Sequence, residues 1–256
     1  MPTTAIIDKI ETPKSDEIIV IAGPTASGKT DLSIQAALKF NGEVISADSR
    51  QIYRGLDIGS AKITKQEMRG VPHHLIDILK PGEKYSVAQF QADALSLIKD
   101  VQERGKIPII CGGTGLYIES VVEGYQFGSS SSKSKLKTGC NPKFKVYLLQ
   151  WPRDVLRERI SLRVDQRMEQ GMLKEVQNLI DTGVDPQWLI SLGLEYKYLT
   201  EYLLGSGSLT DKQKDAKLDA ELQECITKLK FKSYQFAKRQ DTWFRRWSYA
   251  KEISII

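Results

Sequence analysis

The 256-residue sequence contains no apolar stretch close to the roughly 20 residues that a membrane-spanning helix needs. Its first residues, from Met1 to Asp16, also lack the basic and then apolar order of a secretory signal peptide. We therefore expect no membrane partner, and we expect the chain to act in the cytoplasm.

Residues that form disulfides or bind metals are scarce. The three cysteines, Cys111, Cys140 and Cys225, are odd in number and widely separated, which argues against a disulfide framework or a zinc site. Cys111 lies in an apolar run and is predicted to belong to the core. The only histidines, His73 and His74, are adjacent, and adjacent side chains do not converge on one metal ion. A loop or substrate-facing role is favoured for them.

The composition is that of an ordinary globular protein, with 41% hydrophobic and 27% charged residues, enough for one core and a small appendage. The net charge of +5 is unevenly placed. Residues 226–256 hold eight Lys or Arg against Asp241 and Glu252, a net of +6, so the remainder is close to neutral at −1. A basic end of this kind indicates a polyanionic partner larger than one phosphate cluster.

A glycine-rich loop follows the first buried strand that the pattern predicts. Residues 23–30 read Gly-Pro-Thr-Ala-Ser-Gly-Lys-Thr and match G-x-x-x-x-G-K-[ST], between the apolar run Ile18–Ala22 and an amphipathic segment. In such a loop the backbone N–H groups surround phosphate oxygens, and the lysine and the helix N-terminus neutralise their charge. Thr30 is placed to ligate Mg²⁺. The predicted diphosphate-binding residues are Gly23, Pro24, Thr25, Ala26, Ser27, Gly28, Lys29 and Thr30. The loop alone does not distinguish ATP from another diphosphate.

Further strands are predicted at residues 43–47, 106–111 and 143–150, with an amphipathic helix over residues 86–104 stopped at Gly105. The helix after the glycine-rich loop is expected to stop at Gly42. Asp48 and Thr114 follow two of the strands, and ligands gather at the carboxyl ends of parallel strands. We expect both side chains to face the crevice of the loop, although a purely structural turn around Thr114 is an alternative.

The predicted fold is a P-loop NTPase-like three-layer α/β fold with a central parallel sheet and a helical C-terminal part. Residues 1–127 form the first half of the core. Residues 128–142 are a Ser/Lys-rich flexible linker, and residues 143–256 complete the core and end in a basic helical segment.

A long helix is predicted from Arg153 to about Asn178, with Arg159, Arg163 and Arg167 on one face at a spacing of four residues. Guanidinium groups bind phosphate oxygens bidentately. The alternative is a solvated face on which these arginines pair with neighbouring carboxylates. The last segment interleaves basic and aromatic residues, which suits base stacking and phosphate contact as well as ordinary helix packing.

Six segments together resemble the tRNA isopentenyltransferase family, whose members are also known as tRNA dimethylallyltransferases. They are the loop at residues 23–30, Ile-Ser-Ala-Asp-Ser-Arg-Gln-Ile-Tyr (45–53), Asp-Ile-Gly-Ser-Ala-Lys (57–62), Pro-His-His-Leu-Ile-Asp (72–77), Gly-Gly-Thr-Gly-Leu-Tyr (112–117) and Ala-Lys-Arg-Gln-Asp-Thr-Trp-Phe-Arg-Arg-Trp (237–247). The resemblance implies that dimethylallyl diphosphate donates its prenyl group to N6 of adenosine 37 in tRNA, releasing diphosphate.

The resemblance also implies individual roles. Asp48 would accept the N6 proton, Thr114 would hold Asp48 or the amine, and Arg163 would act with the loop and Mg²⁺ at Thr30 on the leaving diphosphate. The residues implied to contact tRNA are Asp48, Ser49, Arg50, Gln51, Thr114, Lys238, Arg239 and Gln240. A monomer is expected.

One departure from the family concerns the stretch before Lys145. Most members insert a helical domain there that grips the anticodon stem, whereas this chain has the linker at residues 128–142. We hypothesise that the basic C-terminal segment and Lys133, Lys135 and Lys137 make more of the phosphate contacts in this shortened form. Three alternatives stay open: a prenyltransferase acting on free AMP or ADP, a P-loop small-molecule kinase with the arginines as a lid, and a non-catalytic RNA-binding protein.

Overall fold

Short apolar segments form the centre of the molecule. The computed structural model describes residues 4–127, 140–205 and 211–255, which contain a six-stranded sheet whose paired strands all run parallel. The strands are β1 (Ile18–Ala22), β2 (Gly42–Ser46), β3 (His73–His74), β4 (Ile107–Gly112), β5 (Phe144–Gln150) and β6 (Lys251–Ser254). Their order across the sheet is β3-β2-β4-β1-β5-β6. β1 and β2 are buried throughout, as expected of parallel strands covered on both faces.

Helices cover both faces of this sheet. They are α1 (Thr4–Ile7), α2 (Lys29–Phe40), α3 (Val87–Glu103), α4 (Gly115–Val122), α5 (Arg153–Glu169), α6 (Met172–Asp181), α7 (Pro186–Leu192), α8 (Leu194–Gly205) and α9 (Asp211–Phe244). On one face α3, α4 and the end of α9 pack in a cluster with Phe90, Ile118 and Phe244. On the other face α2 packs through Leu32 and Ile34. This arrangement confirms the predicted three-layer α/β fold class.

The helical C-terminal part has a core of its own beside the sheet. Residues of α6, α8 and α9 pack there against the segment that follows β2, with Tyr196 and Leu229 fully buried. The long helix α9 therefore contacts both the sheet layers and this second core. Its position brings the C-terminal third of the chain to the carboxyl ends of the strands.

Both halves of the chain contribute to one sheet. The central strand β1 pairs with β4 on one side and with β5 on the other, with Ile19 beside both Ile109 and Lys145. The expectation that β5 finds its neighbour in the first half is confirmed. Residues 128–139 of the predicted linker lie outside the described residues, so its boundaries stay a prediction.

The structure revises some predicted details. α2 ends at Phe40, inside the predicted range Phe40-Asn41-Gly42, but Asn41 with φ of 53° stops the helix, and Gly42, the predicted stop, begins β2. The predicted helix from Arg153 to Asn178 is two helices, since Gly171 has φ of 97° and separates α5 from α6. The helix α4 and the strand β6 were not predicted at all. None of the helices in the described ranges is long and apolar enough to cross a membrane.

Candidate active site

The glycine-rich loop turns between β1 and α2 at the carboxyl edge of the sheet. Gly28 has φ of 87° at the N-terminus of α2, a conformation that glycine adopts at little cost. Side chains from elsewhere bind the loop carbonyls: Trp151 Nε1 donates to Ser27 O at 2.9 Å and Arg159 Nε donates to Ala26 O at 2.9 Å. The first N–H groups of α2 have no acceptor within the helix and suit an anion.

Two cations next to the loop are enclosed by protein. Lys29 Nζ donates to Pro24 O at 2.7 Å, and Arg163 of α5 donates to Thr25 Oγ1. Desolvation lowers the pKa of Lys29 to about 8 and the pKa of Arg163 to about 9, and the charge of Asp48 only partly opposes this. Two desolvated cations at one position favour a ligand with more than one negative charge.

A cavity of about 320 Å³ opens beside these cations. Its lining comes from five parts of the chain: Thr25 and Lys29; Asp48, Ser49, Arg50, Gly59 and Ser60; Gly113, Thr114, Gly115 and Leu116; Arg163, Arg167, Leu194 and Glu195; Ser233, Phe236, Arg239, Gln240 and Trp243. A second cavity of about 100 Å³ shares Lys29, Asp48 and Arg163 with it and also reaches Thr30. The cations and Asp48 therefore lie where the two cavities meet.

Asp48 is oriented by its own backbone. Its Oδ1 accepts hydrogen bonds from Arg50 N at 2.9 Å and from Gln51 N at 3.4 Å, and within the described residues Oδ2 has no hydrogen-bond partner. Thr114 Oγ1 accepts from Ser49 N at 3.1 Å, so Thr114 fixes the residue next to Asp48 and has no direct contact with the carboxylate. One carboxylate oxygen is thus held and the other is available.

The strands beneath Asp48 and Thr114 are unusually close at their ends. A Cβ atom on Gly112 would lie 2.2 Å from Ala47 O, so only glycine fits at this point. Thr114 N also donates to Ala47 O at 3.2 Å. These contacts fix the spacing between the ends of β2 and β4, and with it the spacing between Asp48 and Thr114.

The residues that were predicted to contact tRNA have different surroundings. Asp48, Ser49, Arg50, Thr114, Arg239 and Gln240 line the larger cavity, and Gln51 lines the smaller one. Lys238 is exposed and lines a separate depression beside Trp151. The guanidinium groups of Arg50 and Arg239 lie 5.8 and 5.7 Å from the centre of the Phe236 ring. Gln51 Nε2 donates to Ala61 O at 3.1 Å and is therefore occupied within the protein.

The three arginines on one face of α5 are bound within the protein, although Arg159 is exposed. Arg159 and Arg163 contact the glycine-rich loop, as described above. Arg167 is only 5% exposed and donates to Glu195 Oε1 at 2.9 Å and to Gly59 O at 3.2 Å. Its partner thus comes from α8, and pairing with nearby carboxylates of α5, the alternative considered for Arg167, is not observed.

Some residues that shape the cavity carry no sequence signal. Glu175 of α6 accepts hydrogen bonds from the N–H groups of Asp57, Ile58 and Gly59, at 2.9, 2.6 and 3.0 Å, and so holds the loop that lines the cavity at Gly59 and Ser60. Glu195 was likewise not singled out, whereas Phe236 belongs to the aromatic and basic segment predicted to suit base stacking. Nothing local marks Glu175 or Glu195, because their partners lie more than a hundred residues away or on another helix.

The histidines do not form a metal site. His74 Nε2 lies 2.8 Å from Glu43 Oε2, while His73 Nδ1 bonds Val71 O at 2.9 Å. Across the residues with described positions, no group of three or more His, Cys, Asp or Glu could hold a metal ion. Cys111 is buried, as predicted.

Comparison with known proteins gives one consistent family. The model of a family described as IPP transferase matches residues 51–145 and 128–247. The chain is similar to the tRNA dimethylallyltransferase of Anoxybacillus flavithermus, with 38% identity over 287 aligned positions that cover 90% of this chain and 88% of the relative. Because 90% of the 256 residues is about 230, about 57 of the 287 aligned positions have no counterpart in this chain.

Solved structures agree with this result. The chain is similar to the full-length tRNA isopentenylpyrophosphate transferase of Bacillus halodurans, with a TM-score of 0.80, 36% identity, and coverage of 93% of this chain and 90% of that one. It shares its fold with a eukaryotic dimethylallyltransferase acting on tRNA, with a TM-score of 0.77, 24% identity and coverage of 93% and 73%.

Proposed function

The chain belongs to the IPP transferase family, and we propose that it transfers a dimethylallyl group from dimethylallyl diphosphate to N6 of adenosine 37 in tRNA. The observation that carries this proposal is the junction of the two cavities. There Lys29 and Arg163 suit a diphosphate, and Asp48 presents a carboxylate oxygen at the same place. The relatives, named as tRNA dimethylallyltransferases, do not favour the kinase alternative.

Departure of diphosphate is the first requirement of the reaction. The bond between the allylic carbon and the diphosphate oxygen breaks while that carbon bonds to N6, and negative charge accumulates on the leaving group. Lys29, Arg163 and the N–H groups at the start of α2 stabilise that charge in a desolvated site, where such interactions are strong. Arg163 also binds the hydroxyl of Thr25 and so connects α5 to the glycine-rich loop.

Asp48 acts on the acceptor. The N6 amine of adenine is a weak nucleophile because its lone pair is delocalised into the ring, so removal of one N6 proton must accompany bond formation. Asp48 Oδ2 is available to accept this proton while Oδ1 stays bound to the Arg50 and Gln51 N–H groups. Thr114 acts indirectly by fixing Ser49.

The residues at the junction fit Mg²⁺ as a companion of the diphosphate. Thr30 lines the smaller cavity and provides a hydroxyl oxygen, a hard ligand of the kind that Mg²⁺ takes together with phosphate oxygens. When bound, Mg²⁺ supplies further charge neutralisation of the leaving diphosphate. Thr30 is the residue that would hold it.

The adenine of the acceptor must leave its loop to reach the cavity. Phe236 and Trp243 offer aromatic surface along its wall, and Arg50 and Arg239 flank Phe236. The phosphates around this base would follow the exposed basic side of α9. Lys133, Lys135 and Lys137, which we also assign to phosphate contact, lie outside the described residues.

Product mapping tests this function. Purified protein is incubated with Mg²⁺, dimethylallyl diphosphate and an unmodified anticodon stem-loop, with AMP and ADP in parallel reactions, and digestion with mass spectrometry locates the prenyl group. We expect product at adenosine 37 of the stem-loop. Product only on AMP or ADP would move the chain to nucleotide prenylation, and the absence of any prenylated product would contradict the proposal.

A further inference from the structure

Gln240 of α9 connects the glycine-rich loop to the end of β4. Its side chain is only 8% exposed and makes two hydrogen bonds. Oε1 accepts from Thr25 N at 2.8 Å, and Nε2 donates to Gly113 O at 2.9 Å. The carboxamide thus spans the two loops that carry the donor and acceptor machinery, and both of its ends are occupied within the protein.

The surroundings of this amide leave little freedom. A Cβ atom at Gly113 would lie 2.5 Å from Gln240 Nε2, so the close approach depends on glycine at that position. On the other side, Thr25 is fixed twice, since Gln240 binds its backbone N–H and Arg163 binds its side-chain hydroxyl. Two helices, α5 and α9, therefore hold the same residue of the glycine-rich loop.

We propose that Gln240 is a positioning residue for the diphosphate donor, and that it does not contact tRNA. This inference rests on the proposed function, because the donor is taken to be a diphosphate on the glycine-rich loop. The hydrogen bond to Thr25 N fixes the position of the glycine-rich loop relative to α9. The hydrogen bond to Gly113 O fixes α9 relative to the end of β4, next to Thr114. Loss of the amide displaces the loop N–H groups from the diphosphate oxygens.

A matched pair of variants separates positioning from general stability. Gln240→Leu removes the bridge at the site. Gln91→Leu removes a similar bridge far from it, where Gln91 Nε2 donates to Ser120 O at 2.6 Å and to Tyr125 O at 2.9 Å. We expect both variants to lower the thermal midpoint to a similar extent, since each loses two hydrogen bonds from a largely buried amide.

Direct binding measurements then give the decisive comparison. In Gln240→Leu, the Kd for inorganic pyrophosphate with Mg²⁺ should rise by about tenfold or more, because small displacements of positioning groups cost one to two orders of magnitude. Its Kd for the anticodon stem-loop should change by less than about twofold, and Gln91→Leu should match the wild type in both. Gln240→Asn is less disruptive, but its side chain is one methylene too short to make both hydrogen bonds. We expect it to change the two Kd values in the same way as Gln240→Leu.

The opposite pattern overturns the inference. An unchanged pyrophosphate Kd with weakened stem-loop binding in the Gln240 variants would make Gln240 a tRNA contact. If Gln91→Leu weakened pyrophosphate binding as much as Gln240→Leu does, the weaker binding would come from lower protein stability and not from loss of a positioning residue. Pyrophosphate binding is measured without turnover, so it does not depend on prenyl transfer. A wild type that binds pyrophosphate but transfers no prenyl group would contradict the proposed function, and the role of Gln240 in binding could still be measured.

Discussion

The charges of Lys29 and Arg163 are expected to govern the binding of the diphosphate donor, and with it the pH dependence of donor affinity. In the protein without ligand, desolvation lowers the pKa of Lys29 to about 8 and the pKa of Arg163 to about 9. Both are charged at pH 7, and Lys29 loses its proton as pH rises through about 8, whereas a guanidinium group keeps its proton. A bound diphosphate favours the charged forms and raises both pKa values, so donor affinity and proton uptake are linked.

We expect the affinity for dimethylallyl diphosphate, measured by calorimetry with Mg²⁺ and without acceptor, to be constant from about pH 7 to 7.5. Above about pH 8 it should fall by up to tenfold per pH unit, with proton uptake on binding. In Lys29→Met the affinity should be lower throughout, and the decline above about pH 8 should be absent, because the group that loses its proton there is removed. Affinity independent of pH up to 9.5 in the wild type would contradict the assigned role of these cations.

Single residues of the site differ in how far the sequence predicts them. Lys29, Asp48 and Thr114 each come after a predicted buried strand, and parallel strands bring such positions to one edge. The pair of Arg167 with Glu195 and the bond from Gln240 to Thr25 join helices and loops whose relative placement depends on packing. No local pattern encodes such contacts, and the implied tRNA role of Gln240 came from motif resemblance alone.

At the scale of elements, α9 combines residues that line the cavity with accessible basic residues. Phe236, Gln240 and Trp243 line the cavity. Lys228, Lys232 and Lys238 of the same helix are exposed or half-buried. Lys230 differs because it pairs with Asp165 of α5 at 2.6 Å. This combination suits a helix that packs on the site and also follows the phosphates of a bound RNA.

We expect substitution of Lys228, Lys232 and Lys238 by glutamine to flatten the salt dependence of stem-loop binding. Each lost phosphate contact should reduce the slope of log K against log[salt] by about 0.7 to 0.9. Fluorescence anisotropy titrations from low to high salt give this slope. Lys230→Gln serves as the control and should leave it unchanged. Equal slopes in the wild type and the triple variant would place the RNA elsewhere, and Lys133, Lys135 and Lys137 would then be tested in the same way.

Helices and strands with a regular pattern of apolar residues are predicted well from the sequence. Those that begin with glycines or have few apolar residues are missed. α3 begins after Ser86, whose side chain accepts from Gln89 N in a capping box, and its apolar period is regular. α4 begins at Gly115, shortly after two glycines, where the sequence predicts a loop close to a ligand; glycine disfavours helices, so no local pattern marks this helix start. β6 has only Ile253 buried among polar neighbours, too short a pattern to separate from a loop.

At the scale of the whole molecule, the C-terminal strand β6 and the first strand β1 belong to the same sheet. β6 pairs with β5, which pairs with β1, so residues more than two hundred positions apart share one core. Ile253 is 1% exposed and packs in the same cluster as Ile19 and Leu32. The C-terminal strand is therefore part of the fold on which the glycine-rich loop rests.

We expect Ile253→Ala to lower the free energy of unfolding by about 2–5 kcal/mol, as for other large buried aliphatic side chains. Ser254→Ala, at an exposed position on the same strand, should stay within about 0.5 kcal/mol of the wild type. Urea denaturation followed by circular dichroism gives both values. A loss below about 1 kcal/mol for Ile253→Ala would mean that β6 contributes little to the core.

The two segments that match the family model overlap at residues 128–145, the stretch in which we predict a linker in place of the helical domain of most members. The site residues all come from segments on either side of it. We therefore expect prenyl transfer at the cavity to work without that domain, and we expect the basic residues of this chain to contact the tRNA stem.

The most direct test of the central claim is the single-turnover rate of prenyl transfer to adenosine 37 in Asp48→Asn, with the Kd for dimethylallyl diphosphate measured on the same protein. The introduced carboxamide would keep an oxygen for the Arg50 N–H but could not take the N6 proton. The account predicts a rate about 10² to 10⁴ times lower and a donor Kd within about threefold of the wild type. An undiminished rate would contradict the assignment of the junction beside Asp48 as the place where the prenyl group is transferred.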